Sequence, residues 1–324
     1  MSDSNQLVSG VLEGNRRALA RLITRIESTR PDHRAEASDA IARLLPQSGK
    51  SIRIGISGVP GVGKSSFIET FGLHVVEQGH KVAVLAVDPS SPKHGGSILG
   101  DKTRMEKLAR HPGAYVRPSP SGGSLGGVAR RTRETIMAVE AAGFDVVLVE
   151  TVGVGQSEYA VADLVDMFVL LVAPGGGDDL QGIKKGIVEM ADLLVVTKND
   201  GDLQQAANRA YQDYWAAIRM LGGGNAIWKP EVLRCSAHTG SGIPEVWEKM
   251  EAFRDAMQGA GLIEERRAEQ AASWMWDEVT STLLAEVRKK GGLGEKMEAE
   301  VRSGKRTPAD AAREILEQFD LKDL

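Results

Sequence analysis

The run Gly58-Val59-Pro60-Gly61-Val62-Gly63-Lys64-Ser65 constrains this chain more than any other stretch, because it fits G-x-x-x-x-G-K-[ST]. It follows the apolar run Ile52-Arg53-Ile54-Gly55-Ile56-Ser57 and precedes Ser66-Phe67-Ile68-Glu69-Thr70-Phe71, which reads as a helix. Strand, glycine loop and helix in that order are the setting a phosphate-binding loop requires. A loop wrapped closely round a polyphosphate has no room for side chains, hence Gly58, Gly61 and Gly63. Its backbone N–H groups and the positive end of the next helix, which Ser66 helps to open, face the anion. Lys64 is then expected to reach the β- and γ-phosphates, and the Ser65 hydroxyl to ligate Mg²⁺. The implied fold class is α/β, with a mostly parallel sheet flanked by helices.

Composition narrows the partners. A formal charge of −4 over 324 residues gives no basic field, so nucleic acid is not expected. The longest apolar runs, such as Met167-Phe168-Val169-Leu170-Leu171-Val172-Ala173, have the length of a strand and are too short to cross a bilayer. Cys235 is the single cysteine, which excludes an internal disulfide and argues against a cysteine metal cluster. The amino end lacks a basic segment followed by an apolar one, so a cytoplasmic protein is expected.

Residues 1–48 read as a helical extension, with Leu19, Leu22, Ile23 and Ile26, and then Ala37, Ile41, Leu44 and Leu45, at helical spacing. Residues 49–262 form the nucleotide domain, and 263–324 a helical arm. After the loop helix, Lys81-Val82-Ala83-Val84-Leu85-Ala86-Val87 is a continuous apolar strand, the mark of a sheet covered on both faces. It ends at Asp88, which reads either as a Mg²⁺ ligand, directly or through water, or as an Asx-turn. The glycine-containing piece 93–104 reads as a loop near phosphate. Within it, Asp101 and Arg104 are either a metal partner and a charge stabiliser or plain solvated residues. A second glycine-rich loop is expected over 119–127, before a helix that runs to Glu140.

The strand Asp145-Val146-Val147-Leu148-Val149 ends in Glu150-Thr151-Val152-Gly153. Many P-loop GTPases carry Asp-x-x-Gly there, the acid holding Mg²⁺ through water and the glycine N–H meeting the γ-phosphate. Val154, not glutamine, follows Gly153, so slow intrinsic hydrolysis accelerated by a partner is expected. The buried strand Phe168-Val169-Leu170-Leu171-Val172-Ala173 opens into Gly175-Gly176-Gly177-Asp178-Asp179-Leu180-Gln181-Gly182-Ile183-Lys184-Lys185, a moving element or a plain connector.

Leu193-Leu194-Val195-Val196 is followed by Thr197-Lys198-Asn199-Asp200, one residue from the guanine-reading Asn-Lys-x-Asp. Asp200 would accept from guanine N1–H and the exocyclic amine, and the Lys198 stem would lie over the base. A carboxylate buried against adenine would stay unpaired, a cost of about 1–3 kcal/mol. Thr197 stands where an amide normally braces the loop, which leaves that bracing open. Val232-Leu233-Arg234-Cys235 is a further strand. Ser236-Ala237-His238 after it matches the loop whose backbone meets guanine O6, with His238 itself read as structural and Cys235 as a small core residue. Beyond Ile243 the chain reads as helices. Ala272, Met275, Trp276, Val279, Leu283 and Val287 form a stripe that implies a wide buried surface, packed either on the domain or on another copy of the chain, with a homodimer the favoured reading. Thr307-Pro308-Ala309-Asp310 caps a last helix.

The ordered set resembles the methylmalonyl-CoA mutase-associated GTPases, the MeaB family, within the signal-recognition and MinD-like class of P-loop GTPases. The run Glu150-Thr151-Val152-Gly153-Val154-Gly155-Gln156-Ser157-Glu158 carries the likeness, as do Arg266-Arg267-Ala268-Glu269-Gln270 and Trp274-Met275-Trp276. The resemblance implies a GTPase that binds GTP and GDP with Mg²⁺. It implies association with adenosylcobalamin-dependent methylmalonyl-CoA mutase, gating of cofactor delivery to it and its protection from inactivation. A cobalamin adenosyltransferase is a further implied partner, and the carboxy-terminal arm an implied dimerisation element. Carried over by position, Ser65, Asp88, Asp101 and Glu150 form the metal environment. The segments around 88–104, 150–157 and 177–185 form the switches, with Asp178, Gln181 and Lys184 coupling partner to nucleotide. The alternative is a P-loop kinase or ATPase that phosphorylates a small molecule or an amino-acid-binding transport protein. A nickel-insertion role lacks the histidine-rich tail or Cys/His cluster it would need.

Overall fold

The computed structural model describes residues 3–87, 105–118, 125–151, 157–175, 185–221, 224–289 and 292–317. The chain forms two compact units, Met1–Ala268 and Glu269–Leu324. The first opens with α1 (Asp3–Leu12), α2 (Arg16–Ile26) and α3 (Pro31–Leu44). Leu19, Leu22, Ile23 and Ile26 of α2 are all buried, as their spacing requires. Next come β1 (Ile52–Ser57), α4 (Lys64–Glu77), β2 (Val82–Val87), α5 (Glu106–Arg110), β3 (Ala114–Pro118) and α6 (Leu125–Ala141). The unit continues through β4 (Val146–Thr151), α7 (Ser157–Ala162), β5 (Met167–Val172), α8 (Lys185–Met190), β6 (Leu193–Val196), α9 (Gln204–Leu221), β7 (Glu231–Arg234) and α10 (Ile243–Gly259). Helix α11 (Leu262–Lys289) contains the division, and α12 (Leu293–Arg302) and α13 (Pro308–Glu317) complete the second unit.

The seven strands form one sheet in the order β3-β2-β4-β1-β5-β6-β7, and every pairing is parallel. All residues of β1, β2, β4, β5 and β6 are buried; β2, β5 and β6 are accordingly continuous apolar runs, while β1 and β4 also bury Arg53, Ser57, Glu150 and Thr151. Three features differ from the sequence expectation. Leu45, read at helical spacing with Ala37, Ile41 and Leu44, lies beyond the end of α3 and is 55% exposed. Strand β3 pairs with β2 at the sheet edge and was not expected, because Ala-Tyr-Val-Arg-Pro is short and carries a proline and a charge. Helix α6 begins at Leu125, inside the stretch expected to be loop through Gly127.

One face of the sheet is closed by α4, whose Phe67 and Phe71 stack at 5.3 Å, with Trp247 of α10 meeting Phe71 edge-on at 5.9 Å. At the opposite end of the sheet from the glycine loop, polar groups are buried together. Arg53 pairs with Glu140 through Nε–Oε1 at 2.8 Å and Nη2–Oε2 at 2.9 Å. The Asp166 carboxylate accepts from the Arg53 backbone N–H at 2.8 Å and from Arg267 Nε at 2.7 Å. Arg267 also donates to the carbonyls of Gly49 and Ser51. Asp192, which accepts from the Phe168 N–H at 2.8 Å and lies 3.7 Å from Arg266, is pushed up to about 6 by burial, with Arg266 opposing. The first turns of α11 are therefore fixed to the amino ends of β1 and β5.

In the second unit, Thr307 caps α13: its hydroxyl accepts from the Asp310 N–H at 3.2 Å and donates to the Asp310 carboxylate at 2.7 Å. Along the expected stripe, Met275, Trp276, Val279 and Leu283 are 54%, 64%, 40% and 55% exposed. Among the described residues no helix is long and apolar enough to cross a membrane.

Candidate nucleotide site

The glycine loop leaves the carboxyl end of β1, the strand flanked by β4 and β5. Open parallel sheets bind ligands at such a crevice. The loop's backbone explains its glycines. Gly61 and Gly63 sit at φ 81° and 99°, conformations costly for residues with a Cβ. A Cβ on Gly58 would stand 2.6 Å from the Leu171 carbonyl of β5. Val62 is fully buried, while Val59, Pro60, Gly61 and Ser66 are exposed. The loop thus hangs from one apolar anchor and presents its backbone outward.

Lys64 Nζ donates to the carbonyls of Gly58 at 2.7 Å and Val59 at 3.4 Å. Burial pushes its ammonium below the usual lysine range, and the carboxylates of Glu150 and then Glu158 pull it back. The Ser65 hydroxyl donates to Glu150 Oε1 at 3.3 Å, joining the start of α4 to the end of β4. Glu150 is 5% exposed and pairs in register with Ile56 of β1. A hydroxyl and a carboxylate side by side are hard oxygen donors, the chemistry that Mg²⁺ prefers. Beside them, Thr151 donates to the Ser57 hydroxyl at 3.1 Å, with both residues fully buried.

The base-side loops lie beyond β6 and β7 at the same edge of the sheet. The Thr197 hydroxyl donates to the Val62 carbonyl at 2.8 Å, and more weakly to that of Val172 at 3.3 Å. The bracing left open by the missing amide is therefore supplied by a hydroxyl. Lys198 is the only non-glycine residue with positive φ among those described (φ 54°), and its Nζ donates to the Gly61 carbonyl at 2.7 Å. Its stem thus crosses from the base side to the phosphate side. Asp200 Oδ2 accepts from the Ser236 hydroxyl, which accepts in turn from the Thr239 N–H at 3.1 Å. Ser236 is fully buried and His238 is exposed. The Ala237 carbonyl accepts from Thr70 of α4 at 2.9 Å, a tie between the loop after β7 and the helix after the glycine loop that no sequence pattern signals. Cys235 is buried, and burial pushes its thiol up to about 12, which fits a core residue and not a nucleophile.

The structure thus brings Gly58–Ser66, Glu150, Thr197–Asp200 and Ser236–Ala237 to one edge. Asp88, Asp101, Arg104, Gly153, Asp178, Gln181 and Lys184 lie outside the described residues.

Residues 19–292 match the family model described as methylmalonyl-CoA mutase-associated GTPase MeaB. The chain belongs to this family. It is 53% identical to a probable GTPase of Mycobacterium tuberculosis, over 98% of this chain and 95% of that one. It is 47% identical to a mitochondrial protein of Mus musculus named methylmalonic aciduria type A homolog, over 97% of this chain and 79% of that one. A solved structure named LAO/AO transport system kinase superposes with a TM-score of 0.79 at 34% identity, covering 99% of both chains. The chain is accordingly a P-loop GTPase, a GTP hydrolase with a guanine-nucleotide site.

Proposed function

We propose that this GTPase is a chaperone of adenosylcobalamin-dependent methylmalonyl-CoA mutase, which gates cofactor delivery and protects the mutase from inactivation. The family's description, which names the mutase, supports it as partner. A cobalamin adenosyltransferase is the second partner in this reading, and the cytoplasm its place. The observation that carries the nucleotide chemistry is the pair of bonds from Thr197 and Lys198 to the carbonyls of Val62 and Gly61. They make the base-reading loop and the phosphate loop one rigid frame.

In this frame Lys64 exchanges the Gly58 carbonyl for the β- and γ-phosphate oxygens, and the glycine-loop N–H groups hold the rest of the anion. Asp200, its carboxylate fixed by Ser236, accepts from guanine. Ser65 and Glu150, already side by side, would hold Mg²⁺, with Asp88 and Asp101 completing its surroundings. The metal, when bound, neutralises charge on the phosphates. Gly153 meets the terminal phosphate, and Arg104, Asp178, Gln181 and Lys184 pass the partner's state to it. Turnover is slow alone and rises on the mutase. The exposed stripe of α11 is the homodimer surface, since burying Trp276 and Leu283 against a second copy removes large apolar area from water.

A kinase acting on a small molecule or transport protein is the second reading, favoured by the name of the solved relative. Measuring GTP and ATP turnover with and without purified mutase separates the two. Stimulated release of inorganic phosphate from GTP supports the chaperone, and phosphate transferred to an acceptor contradicts it.

A further inference from the structure

Helix α4 turns Phe67, Ile68 and Phe71 into the core, and Thr70 beside them is half-buried. A helical threonine can turn its hydroxyl back onto the carbonyl four residues earlier. Thr24, Thr132 and Thr135 do so, onto Ala20, Val128 and Arg131 at 2.8, 2.9 and 2.7 Å. Thr70 does not: its hydroxyl donates to the Ala237 carbonyl at 2.9 Å, across 167 positions. The loop it reaches, after β7, closes on itself. Ser236 N–H donates to the Ser241 carbonyl at 2.8 Å, and Gly240 N–H to that of Ser236 at 2.9 Å. Thr239 N–H donates to the Ser236 hydroxyl, which itself donates to Asp200. Among the described residues, the N–H groups of Ala237 and His238 have no acceptor, and the one hydrogen bond joining residues 237–239 to another element is that of Thr70. Two neighbouring donors thus stand unused beside the base-reading carboxylate. A peptide unit is planar, with its carbonyl and N–H pointing opposite ways. Fixing the Ala237 carbonyl on α4 therefore aims the His238 N–H away from that helix and limits rotation at Ala237.

We propose that Thr70 is a positioning residue for the guanine base, one that sets how long GTP and GDP stay bound. It holds the Ala237 and His238 N–H groups toward guanine O6, an acceptor that adenine replaces by an amine. The proposal rests on the reading of Ser236–His238 as the loop that meets guanine O6. Thr70 lies six residues past Lys64, about 9 Å along the same helix, so one rigid element serves the phosphates at its start and the base loop further on. The base is common to GTP and GDP. Loss of the brace therefore speeds release of both and leaves the chemistry at the terminal phosphate alone.

Thr70→Val removes the hydroxyl and keeps the branched shape. Stopped-flow release of fluorescent GDP and of a non-hydrolysable GTP analogue is to be measured on the full chain, with GDP, IDP and ADP affinities by competition. Release of both should quicken by about 3- to 10-fold, the worth of one ordinary hydrogen bond. IDP keeps O6 and lacks the exocyclic amine, so it should weaken by the same factor as GDP, while the weaker binding of ADP should not change. Single-turnover hydrolysis at saturating GTP should keep the wild-type rate. Thr70→Ser retains the donor and should release GDP as the wild type does. GDP release from Thr70→Val at the wild-type rate overturns the proposal. So does an equal loss for GDP and ADP, which marks a residue that only packs. Should Thr70→Val not fold, Thr70→Ala removes the same hydroxyl, and wild-type release from it overturns the proposal equally. A wild-type chain that binds ADP as tightly as GDP sinks the guanine reading itself. A guanine preference that Asp200→Asn abolishes, beside an unaffected Thr70→Val, sinks this proposal alone.

Discussion

Thr197→Val removes one hydroxyl and keeps the branched shape. That hydroxyl lies 2.8 Å from the Val62 carbonyl, and Thr197 is 4% exposed while Val62 is fully buried. The Val172 carbonyl keeps its bond from the Thr197 N–H at 2.9 Å, so the loss falls on Val62. Withdrawing a donor from a buried acceptor costs about 1–3 kcal/mol. Because Val62 anchors the glycine loop, the cost divides between folding stability and the placement of backbone N–H groups that meet phosphate. If all of it falls on binding, GTP affinity drops by roughly 5- to 150-fold, at about 1.4 kcal/mol per factor of ten. Urea unfolding of the nucleotide-free protein and titration with a fluorescent GTP analogue measure the two shares. Thr197→Ser keeps the hydroxyl and should retain most of both. A Thr197→Val protein within about 0.5 kcal/mol of wild type in stability, and unchanged in GTP affinity, refutes the brace.

Lys64→Ala should abolish tight nucleotide binding, and unchanged GTP affinity by equilibrium titration would contradict the loop assignment. Asp200→Asn should weaken GTP and relax the choice of base, read as a smaller GTP-over-ATP preference in competition. Arg267→Ala leaves Asp166, whose side chain is fully buried, without its cation. A loss of about 3–5 kcal/mol is expected in denaturant unfolding, and a near-neutral result would show the pair to be dispensable. Asp192 binds its proton more tightly when folded, since its carboxyl is raised from 3.8 to about 6. The folded state therefore holds the extra proton between those values, and this contribution to stability declines as pH rises from about 4 to 6. Asp192→Asn should flatten that part of the stability profile, and a profile identical to wild type would exclude the group.

The sequence made the central sheet legible because strands buried on both faces must be apolar throughout, as Val82–Val87 and Met167–Val172 are. The edge strand Ala114–Pro118 escaped notice, since an edge position tolerates Arg117 and Pro118 and leaves no pattern. The phosphate and base loops could be read from residue type, because their geometry demands Gly63, Lys64 and Asp200. How those loops are joined could not. The Thr197 hydroxyl replaces an amide across 135 positions, and the Arg267–Asp166 pair spans 101.

The most direct test of the central claim is a crystal structure of the chain with Mg²⁺ and a non-hydrolysable GTP analogue. One ligand is expected to bridge the two loops, with Lys64 Nζ moved from the Gly58 carbonyl to the β- and γ-phosphates and Asp200 paired to the guanine edge. A nucleotide that touches Lys64 while its base lies away from Asp200, or that binds elsewhere, would contradict it.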